Sequence, residues 1–349
     1  MNYPLVFKDI DVPNYERVLE VTCPSVHLHA IIAIHQTVMG PSLGGVRAFA
    51  YNTFDDALTD ALRLSRGMTY KAALSDTGTG GGKSVIILPK GCSRPTEDML
   101  RAFGQAVNTL EGSYIAAEDL GVTVRDITIM HEETPYVCGI ESVSGDPSIY
   151  TAHGVFLCIQ ETARRLWGTS SLKGKRIGIQ GVGAVGSRLA RAAFFEGADV
   201  IISDTRQAIL CDLAKFYGAT VVPKDAFPSL ECDIFCPCAF GGVVNEESIS
   251  TLRCQAIVGA ANNQLENPSL GAELHNKGIL YAPDYLVNAG GLLNVSLAVG
   301  RPYDPKYVLS RVQKLPEILK DLYDQSKATN QDIVTLSDRI VESKLAAHV

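Results

Sequence analysis

No run of about 18 apolar residues occurs in the chain, so no membrane-spanning helix is expected. Basic charge is not in excess either: Lys+Arg 31 stand against Asp+Glu 38, a net charge of −7. A phosphate backbone demands a basic face, so nucleic acid is not an expected partner. The chain starts Met-Asn-Tyr-Pro-Leu-Val-Phe-Lys-Asp, with no basic segment leading into an apolar one, so no secretory signal is expected. Repeats and low-complexity tracts are absent. The cysteines number nine, an odd count scattered from Cys23 to Cys254. In a chain this long they point to reduced thiols in the cytoplasm rather than a disulfide frame. Cys232, Cys236 and Cys238 lie close together, but no second pair or nearby histidine completes four ligands, so no metal is expected.

What the chain does have is ordinary globular composition. Of its 349 residues 46% are hydrophobic and 20% charged, which excludes a disordered, collagen-like or coiled-coil chain. At roughly 150 residues per domain, two domains are expected. Glycine, at 31 residues, is somewhat above the usual share of ~7% and falls in a few clusters.

The first region, to about residue 145, mixes strands and helices. The run His27–Gln36 reads as a strand, as do 84–88 and 114–117. Helical spacing covers 53–66 and 96–110, the latter opened by Thr96 as N-cap with Glu97 and Asp98 in its first turn. Residues 139–148, with two glycines and Pro147, read as a linker. Beyond a helix over 152–166, short strands at 176–180, 199–204, 220–222, 234–236, 256–259 and 280–282 are interspersed with helices at 184–196 and 207–217. Such alternation predicts an α/β fold with a parallel, doubly wound sheet. The tail from about 303 reads as two amphipathic helices.

Residues 176–186 read Arg-Ile-Gly-Ile-Gln-Gly-Val-Gly-Ala-Val-Gly. Gly181, Gly183 and Gly186 form G-x-G-x-x-G between a predicted strand and a predicted helix. The glycines serve a tight turn, close approach of backbone to a pyrophosphate, and close helix-on-strand packing. The helix N-terminus offers free N–H groups to the phosphates. A second strand ends at Asp204, which can bind both ribose hydroxyls and would repel a 2′-phosphate, favouring NAD over NADP. Arg206 nearby is the feature that leaves room for NADP.

The segment Gly82-Lys83-Ser84 invites comparison with a P-loop. That motif needs a glycine where Thr77 stands and a helix where a strand is predicted, so triphosphate hydrolysis is not expected. Lys83 follows three glycines. A lysine desolvated in a cleft, or near a second cation such as Lys71, loses proton affinity and can serve as a base near neutral pH. Two solvated surface lysines are the alternative reading of the spacing.

Seven motifs, in order, carry a resemblance over nearly the whole chain. They are Gly40-Pro-Ser-Leu-Gly-Gly-Val-Arg47, Gly67-Met-Thr-Tyr-Lys71, Gly80-Gly-Gly-Lys83, Ala117-Glu-Asp-Leu-Gly121, the glycine loop at 181–186, Ala260-Ala-Asn-Asn-Gln264 and Pro283-Asp-Tyr-Leu-Val-Asn-Ala-Gly-Gly291. The chain resembles the glutamate, leucine, phenylalanine and valine dehydrogenases, and leucine dehydrogenases most. The resemblance implies two domains around a cleft: 1–145 for substrate binding and oligomer contacts, completed by a C-terminal helix at 325–349, and 146–324 as the NAD-binding Rossmann domain. It implies reversible oxidative deamination of an L-amino acid to a 2-oxo acid and ammonium, with NAD taking the hydride. By matching position Lys83 and Asp119 would be catalytic. Lys71, Gly44, Gly45 and Asn288 would hold the substrate α-carboxylate. The cofactor would meet Gly181, Gly183, Ala184, Val185, Gly186, Asp204, Thr151, Ala239, Asn262 and Asn288.

The side-chain pocket implied by the resemblance comprises Leu43, Ala117, Leu292 and Val295, all apolar. Glutamate-specific members place a lysine and a hydroxyl residue where Leu43 and Val295 stand. Burying a carboxylate there unpaired would cost several kcal/mol. A branched aliphatic substrate (Leu, Ile or Val) is therefore expected, with phenylalanine the runner-up, since one methylene of pocket size decides only about 1–3 kcal/mol. A non-catalytic NAD-binding sensor is the alternative outside enzymology; the complete set of Lys71, Lys83, Asp119 and Asn288 argues against it. The chain departs from leucine dehydrogenases at Ser75–Thr79 and beyond Arg301, where it is shorter, so a homo-oligomer is expected as either dimer or octamer.

Overall fold

A computed structural model describes residues 2–348. It is α/β, with one mixed and one all-parallel sheet of six strands each. The chain forms two compact units: Met1–Asp146 with Val295–Asp304 and Ser343–Val349, and Pro147–Asn294 with Pro305–Glu342.

In the first unit the strands are β1 (Val6–Asp9), β2 (Arg17–Cys23), β3 (Leu28–Gln36), β4 (Ser42–Phe49), β5 (Gly80–Ile87) and β6 (Tyr114–Glu118). Their order is β1-β2-β3-β5-β4-β6, with β5, β4 and β6 parallel and the rest antiparallel. The helices are α1 (Phe54–Ser75), α2 (Glu97–Asn108), α3 (Val124–His131) and the one-turn α4 (Glu141–Ser144). The apolar run of β3 is buried on both sides. Ala30, Ile32 and Ile34 join one core with α2 and α3, while Ile31 and Ala33 join a second with Ala57 and Ala61 of α1. A strand buried on both faces needs no polar alternation, which is why this segment reads as continuous hydrophobics.

Helix α1 begins with Thr53, whose side chain accepts the Asp56 N–H while Asp56 returns the bond to the Thr53 N–H. It runs nine residues beyond the predicted end at Arg66, through Gly67, because Ala72, Ala73 and Leu74 are buried and hold the last turns. Tertiary packing here overrides the cost of a mid-helix glycine. The glycines before Lys83 lie in a strand, not a loop. A Cβ on Gly80 would stand 1.9 Å from the Gln36 carbonyl oxygen, and one on Gly81 2.0 Å from the Thr69 nitrogen. They allow β3 and α1 to approach β5, a role unrelated to phosphate.

The second unit opens with α5 (Pro147–Trp167), followed by β7 (Arg176–Gln180), α6 (Gly186–Phe195), β8 (Asp199–Ser203), α7 (Gln207–Tyr217), β9 (Thr220–Val221), β10 (Ile234–Pro237), β11 (Ala256–Ile257), α8 (Leu270–Asn276), β12 (Leu280–Tyr281), α9 (Asp284–Val287) and α10 (Gly290–Ser296), the last of which ends in the first unit's segment. The sheet order β12-β11-β10-β7-β8-β9 is that of two three-strand halves, all parallel, whose order of strand addition reverses between β7 and β10. In such sheets ligands bind beyond the strand ends at that reversal.

Two expectations need correction. The tail holds three helices, α11 (Pro305–Val312), α12 (Leu315–Thr329) and α13 (Ile333–Ala346), not two. Asn330, left-handed at φ 50, ends α12 and separates it from α13. The segment returning to the first unit begins at Ser343, not 325, and Val295–Asp304 returns as well. The start of α13 is held in the second unit, where Val334 packs against Gly271 with no room for a Cβ. The segment read as a linker holds α4 and the first residues of α5.

Candidate functional site

In the first unit, two-residue strand periodicity gathers the charged groups. Leu43, Gly45 and Arg47 share one face of β4, and Gly45 pairs with Ala117 of β6. Lys83, opposite Ala33 of β3, points to the same side as α1. Asp119 follows Ala117 by two residues, just past β6. Lys83 Nζ lies 2.6 Å from Asp119 Oδ2. A Cβ on Gly45 would stand 2.7 Å from the Asp119 Cβ and 3.2 Å from Lys83 Nζ, so this glycine makes the space in which the two meet.

Lys83 is 6% exposed. Burial pulls its proton affinity below the ordinary lysine value; Asp119 opposes this but does not cancel it. Burial pushes Asp119 upward, but Lys83, Arg47 and the Leu120 N–H outweigh it and hold the carboxyl below the usual aspartate value. Arg47 was not among the residues singled out from the sequence, although it ends the motif at 40–47. Its Nε lies 3.1 Å from the same Asp119 oxygen, and its other end 2.7 Å from Asp60 Oδ2. The available signal was its parity with Gly45 along β4.

Gly44 is pressed against β5, where a Cβ would come within 1.7 Å of the Gly82 carbonyl oxygen. The buried Tyr114 hydroxyl donates to the Gly44 carbonyl at 2.8 Å. Lys71 is half-buried in the last turns of α1. Leu43 and Ala117 are buried at 1% and 8% exposure. Val295 lies within 3.8 Å of a Cβ built on Gly139, in the first unit, whereas Leu292, also buried, groups with the second. Thr123 caps α3.

In the second unit the glycine loop leaves β7 at the reversal point. Gly181 takes φ +92, and a Cβ on Gly186 would stand 2.0 Å from the Gly181 carbonyl oxygen. Both glycines are thus required by the chain itself. Gly183 is different: its Cβ would meet only an Arg206 nitrogen at 3.6 Å, so nothing in the protein demands glycine there. Ala184 and Val185 complete the turn into α6, with Val185 at its N-cap. A cavity of about 460 Å³ lies beside the loop, lined by Gly181, Gly183, Asp204, Arg206, Lys224 and Ala239 among others.

Asp204 is not open as the spacing suggested. One oxygen accepts the Val182 N–H at 2.8 Å and an Arg206 guanidinium N–H at 2.9 Å. The other accepts the Arg206 backbone N–H and Nε, both at 2.9 Å. Arg206, two residues on and exposed, folds back over the carboxylate and, with it, drives the Asp204 pKa far down.

Asn288 is buried. Its Nδ2 donates to the Ala260 carbonyl at 3.1 Å and to Asn262 Oδ1 at 2.9 Å, while its own Oδ1 has no hydrogen-bond partner. Thr151 sits over the start of α10, where a Cβ on Gly291 would approach its hydroxyl to 2.8 Å. No cluster suited to a metal ion occurs among the described residues, and Cys232, Cys236 and Cys238 are free thiols that burial pushes up.

Two family models match. The Glu/Leu/Phe/Val dehydrogenase dimerisation domain covers residues 15–136, and the Glutamate/Leucine/Phenylalanine/Valine dehydrogenase domain covers 144–214 and 204–346. Leucine dehydrogenase of Geobacillus stearothermophilus is 40% identical over 343 residues, 97% of this chain and 93% of the relative. Phenylalanine dehydrogenase of Lysinibacillus sphaericus is also 40% identical, over 90% of this chain and 84% of its own. The crystal structure of L-tryptophan dehydrogenase from Nostoc punctiforme matches with TM-score 0.85 and 38% identity, covering 96% of this chain and 97% of that one. With both halves of its length matched in order and identity near 40% from end to end, the chain belongs to the glutamate/leucine/phenylalanine/valine dehydrogenase family of amino-acid oxidoreductases.

Proposed function

We propose that the chain catalyses the reversible, NAD-dependent oxidative deamination of a branched aliphatic L-amino acid, L-leucine with isoleucine and valine, to the 2-oxo acid and ammonium. The observation that carries this reading is the contact between buried Lys83 and half-buried Asp119 on the sheet face that also carries Leu43 and Ala117. In the first unit Lys71 and the Gly44–Gly45 backbone would hold the α-carboxylate; Asn288 of the second unit is the further candidate that the resemblance offers for it. Hydride can leave Cα only when the amino nitrogen is neutral, and Asp119 takes that proton. Lys83, with its depressed proton affinity, then aids attack of water on the imine carbon and returns protons as ammonium departs.

The second unit fits a dinucleotide. Gly183 has no internal reason to be glycine, and the Ser203 hydroxyl and Asn288 Oδ1 are buried without partners near the loop and strand ends. Gly181, Gly183, Ala184, Val185 and Gly186 would hold the pyrophosphate, Asp204 the ribose, and Thr151, Ala239 and Asn262 the nicotinamide. NAD, when bound, accepts the hydride. Nine free thiols suit a reducing, cytoplasmic setting, and the dimerisation-domain match supports a homo-oligomer.

A second reading has one specific support: relatives that act on phenylalanine and tryptophan are as similar as those that act on leucine. The test is NADH production from Leu, Ile, Val, Phe, Trp and Glu in parallel, repeated with NADP. Best turnover of the aliphatic substrates with NAD is the expected result. Best turnover of Phe or Trp keeps the chemistry and overturns the pocket assignment. No turnover with retained NADH binding favours a sensor.

A further inference from the structure

Lys83, Asp119, Arg47 and Asp60 form a chain of alternating sign, with successive contacts of 2.6, 3.1 and 2.7 Å. It spans four elements: β5, the loop after β6, β4 and α1. Tyr51 closes it, its hydroxyl donating to Asp60 Oδ2 at 2.6 Å, and Arg63 reaches Asp60 at 3.7 Å. The Asp60 end faces a cavity of about 510 Å³, while the Lys83 side chain is 7% exposed. Lys83 is the most buried of the four and Asp119 the most exposed, with Arg47 and Asp60 between them.

Two features go beyond ordinary ion pairing. Lys83 and Arg47 both bond Oδ2 of Asp119, which leaves Oδ1 committed to neither cation. And only the inner cation can titrate, since a guanidinium stays charged at every working pH. If Lys83 gave up its proton beside Asp119 alone, a largely buried carboxylate would lose its counter-ion, a state that low-dielectric surroundings resist. Arg47 remains as that counter-ion. When Asp119 is instead protonated, Asp60 keeps Arg47 paired.

We propose that Arg47 is a positioning residue for the reacting pair: it fixes Asp119 through Oδ2 and supplies the standing positive charge that lets Lys83 work as a neutral amine, while Asp60 acts in the opposite sense. The inference rests on Lys83 and Asp119 being the reacting pair. The electrostatic causes run the same way, with Arg47 lowering and Asp60 raising the proton affinity of Lys83. Other titratable groups on the packed elements do not interfere. His35 on β3 is pulled down to about 4, Cys138 after β6 is pushed up to about 12, and burial pushes Tyr114 on β6 above its ordinary value. Lys71, on α1, is common to every variant.

The test uses competitive acetylation of the full-length protein by acetic anhydride from about pH 6 to about pH 11, a range that spans the ordinary lysine value. Peptide mass spectrometry reads the neutral fraction of Lys83, with no turnover needed, and kcat/KM is followed over the same range. Arg47→Gln is expected to raise the Lys83 midpoint by about one pH unit. The acidic limb of kcat/KM should move with it, giving about a tenfold loss below the limb. Arg47→Lys should restore most of the midpoint, and Asp60→Asn should lower it. An unchanged midpoint in folded Arg47→Gln overturns the proposal, as does a shift of the same sign in Arg47→Gln and Asp60→Asn. If Arg47→Gln does not fold, a midpoint unchanged or raised in Asp60→Asn is decisive against it. Midpoints that move as expected in a protein that turns over no amino acid would uphold the role of Arg47 and sink the dehydrogenase reading instead.

Discussion

Lys83 Nζ stands 2.6 Å from Asp119 Oδ2, above a glycine, Gly45, whose missing Cβ is what lets the two side chains meet. In the proposed function the pair is the chemical centre of the first unit. Replacing Lys83 with Met keeps its bulk and removes its nitrogen, and replacing Asp119 with Asn removes its charge. Each is expected to lower turnover by about 10²- to 10⁴-fold, the range for a lost general acid or base. NADH affinity, which the proposed function assigns to the second unit, should be retained. Turnover and fluorescence titration of NADH together check this; loss of both in a folded variant would contradict the division of roles.

Gly45 is a glycine the fold needs, and Gly183 is one it does not. At Gly45 an added methyl meets Asp119 Cβ and the Glu118 carbonyl oxygen at 2.7 Å each, so Gly45→Ala should destabilise by about 1–3 kcal/mol and abolish turnover. At Gly183 the methyl meets nothing closer than 3.6 Å, so Gly183→Ala should leave stability within about 0.5 kcal/mol. It should nonetheless weaken dinucleotide binding, because the methyl intrudes where phosphate approaches. Urea unfolding and NADH titration of both variants decide the matter. Unweakened binding by Gly183→Ala would show that the phosphates lie elsewhere.

Much of this architecture was legible because its signals are local. The second unit's first β-α-β stretch is set by short apolar strands and by turn glycines, and β7 and α7 fall on their predicted bounds. What was missed depends on distant partners. Arg47 and Asp119 are 72 positions apart, and only strand parity hints at their meeting. Helix α1 continues past Gly67 because of what Ala72 to Leu74 pack against, and helical propensity does not carry that information. Asp204 satisfied every spacing rule for a ribose acceptor, yet Arg206 already occupies both its oxygens.

A histidine outside the reacting pair sets an acid limit on stability. His35 is buried with Nδ1 2.8 Å from the Thr69 hydroxyl, tying β3 to α1. Burial, helped by Arg66, pulls its pKa from 6.5 to about 4. The folded protein therefore binds fewer protons than the unfolded chain between these values. The stabilisation is full above 6.5 and lost as pH falls toward 4, amounting to roughly 2 kcal/mol between about pH 7 and pH 5. His35→Gln, which can still meet Thr69, should flatten that dependence. Urea midpoints at the two pH values provide the check; equal slopes in both proteins would assign the acid sensitivity to other groups.

The Asp204–Arg206 contact bears on the choice between NAD and NADP. Arg206 is 59% exposed at its side chain while Asp204 is 8%, so the arginine is the partner free to move. Binding NAD through Asp204 requires the guanidinium to release at least one carboxylate oxygen to the ribose hydroxyls. A 2′-phosphate, by contrast, would meet Arg206 and Lys224 at the same cavity. Removing the arginine exposes an unscreened carboxylate that favours hydroxyls and repels phosphate. Arg206→Ala is therefore expected to bind NADH at least as tightly as the parent and to lose about tenfold in affinity for NADPH, near 1.4 kcal/mol for one lost charged contact. Side-by-side titrations with the two reduced coenzymes measure the ratio. If Arg206→Ala weakens both equally, the arginine holds a part of the dinucleotide that they share, and Asp204 is not what discriminates between them.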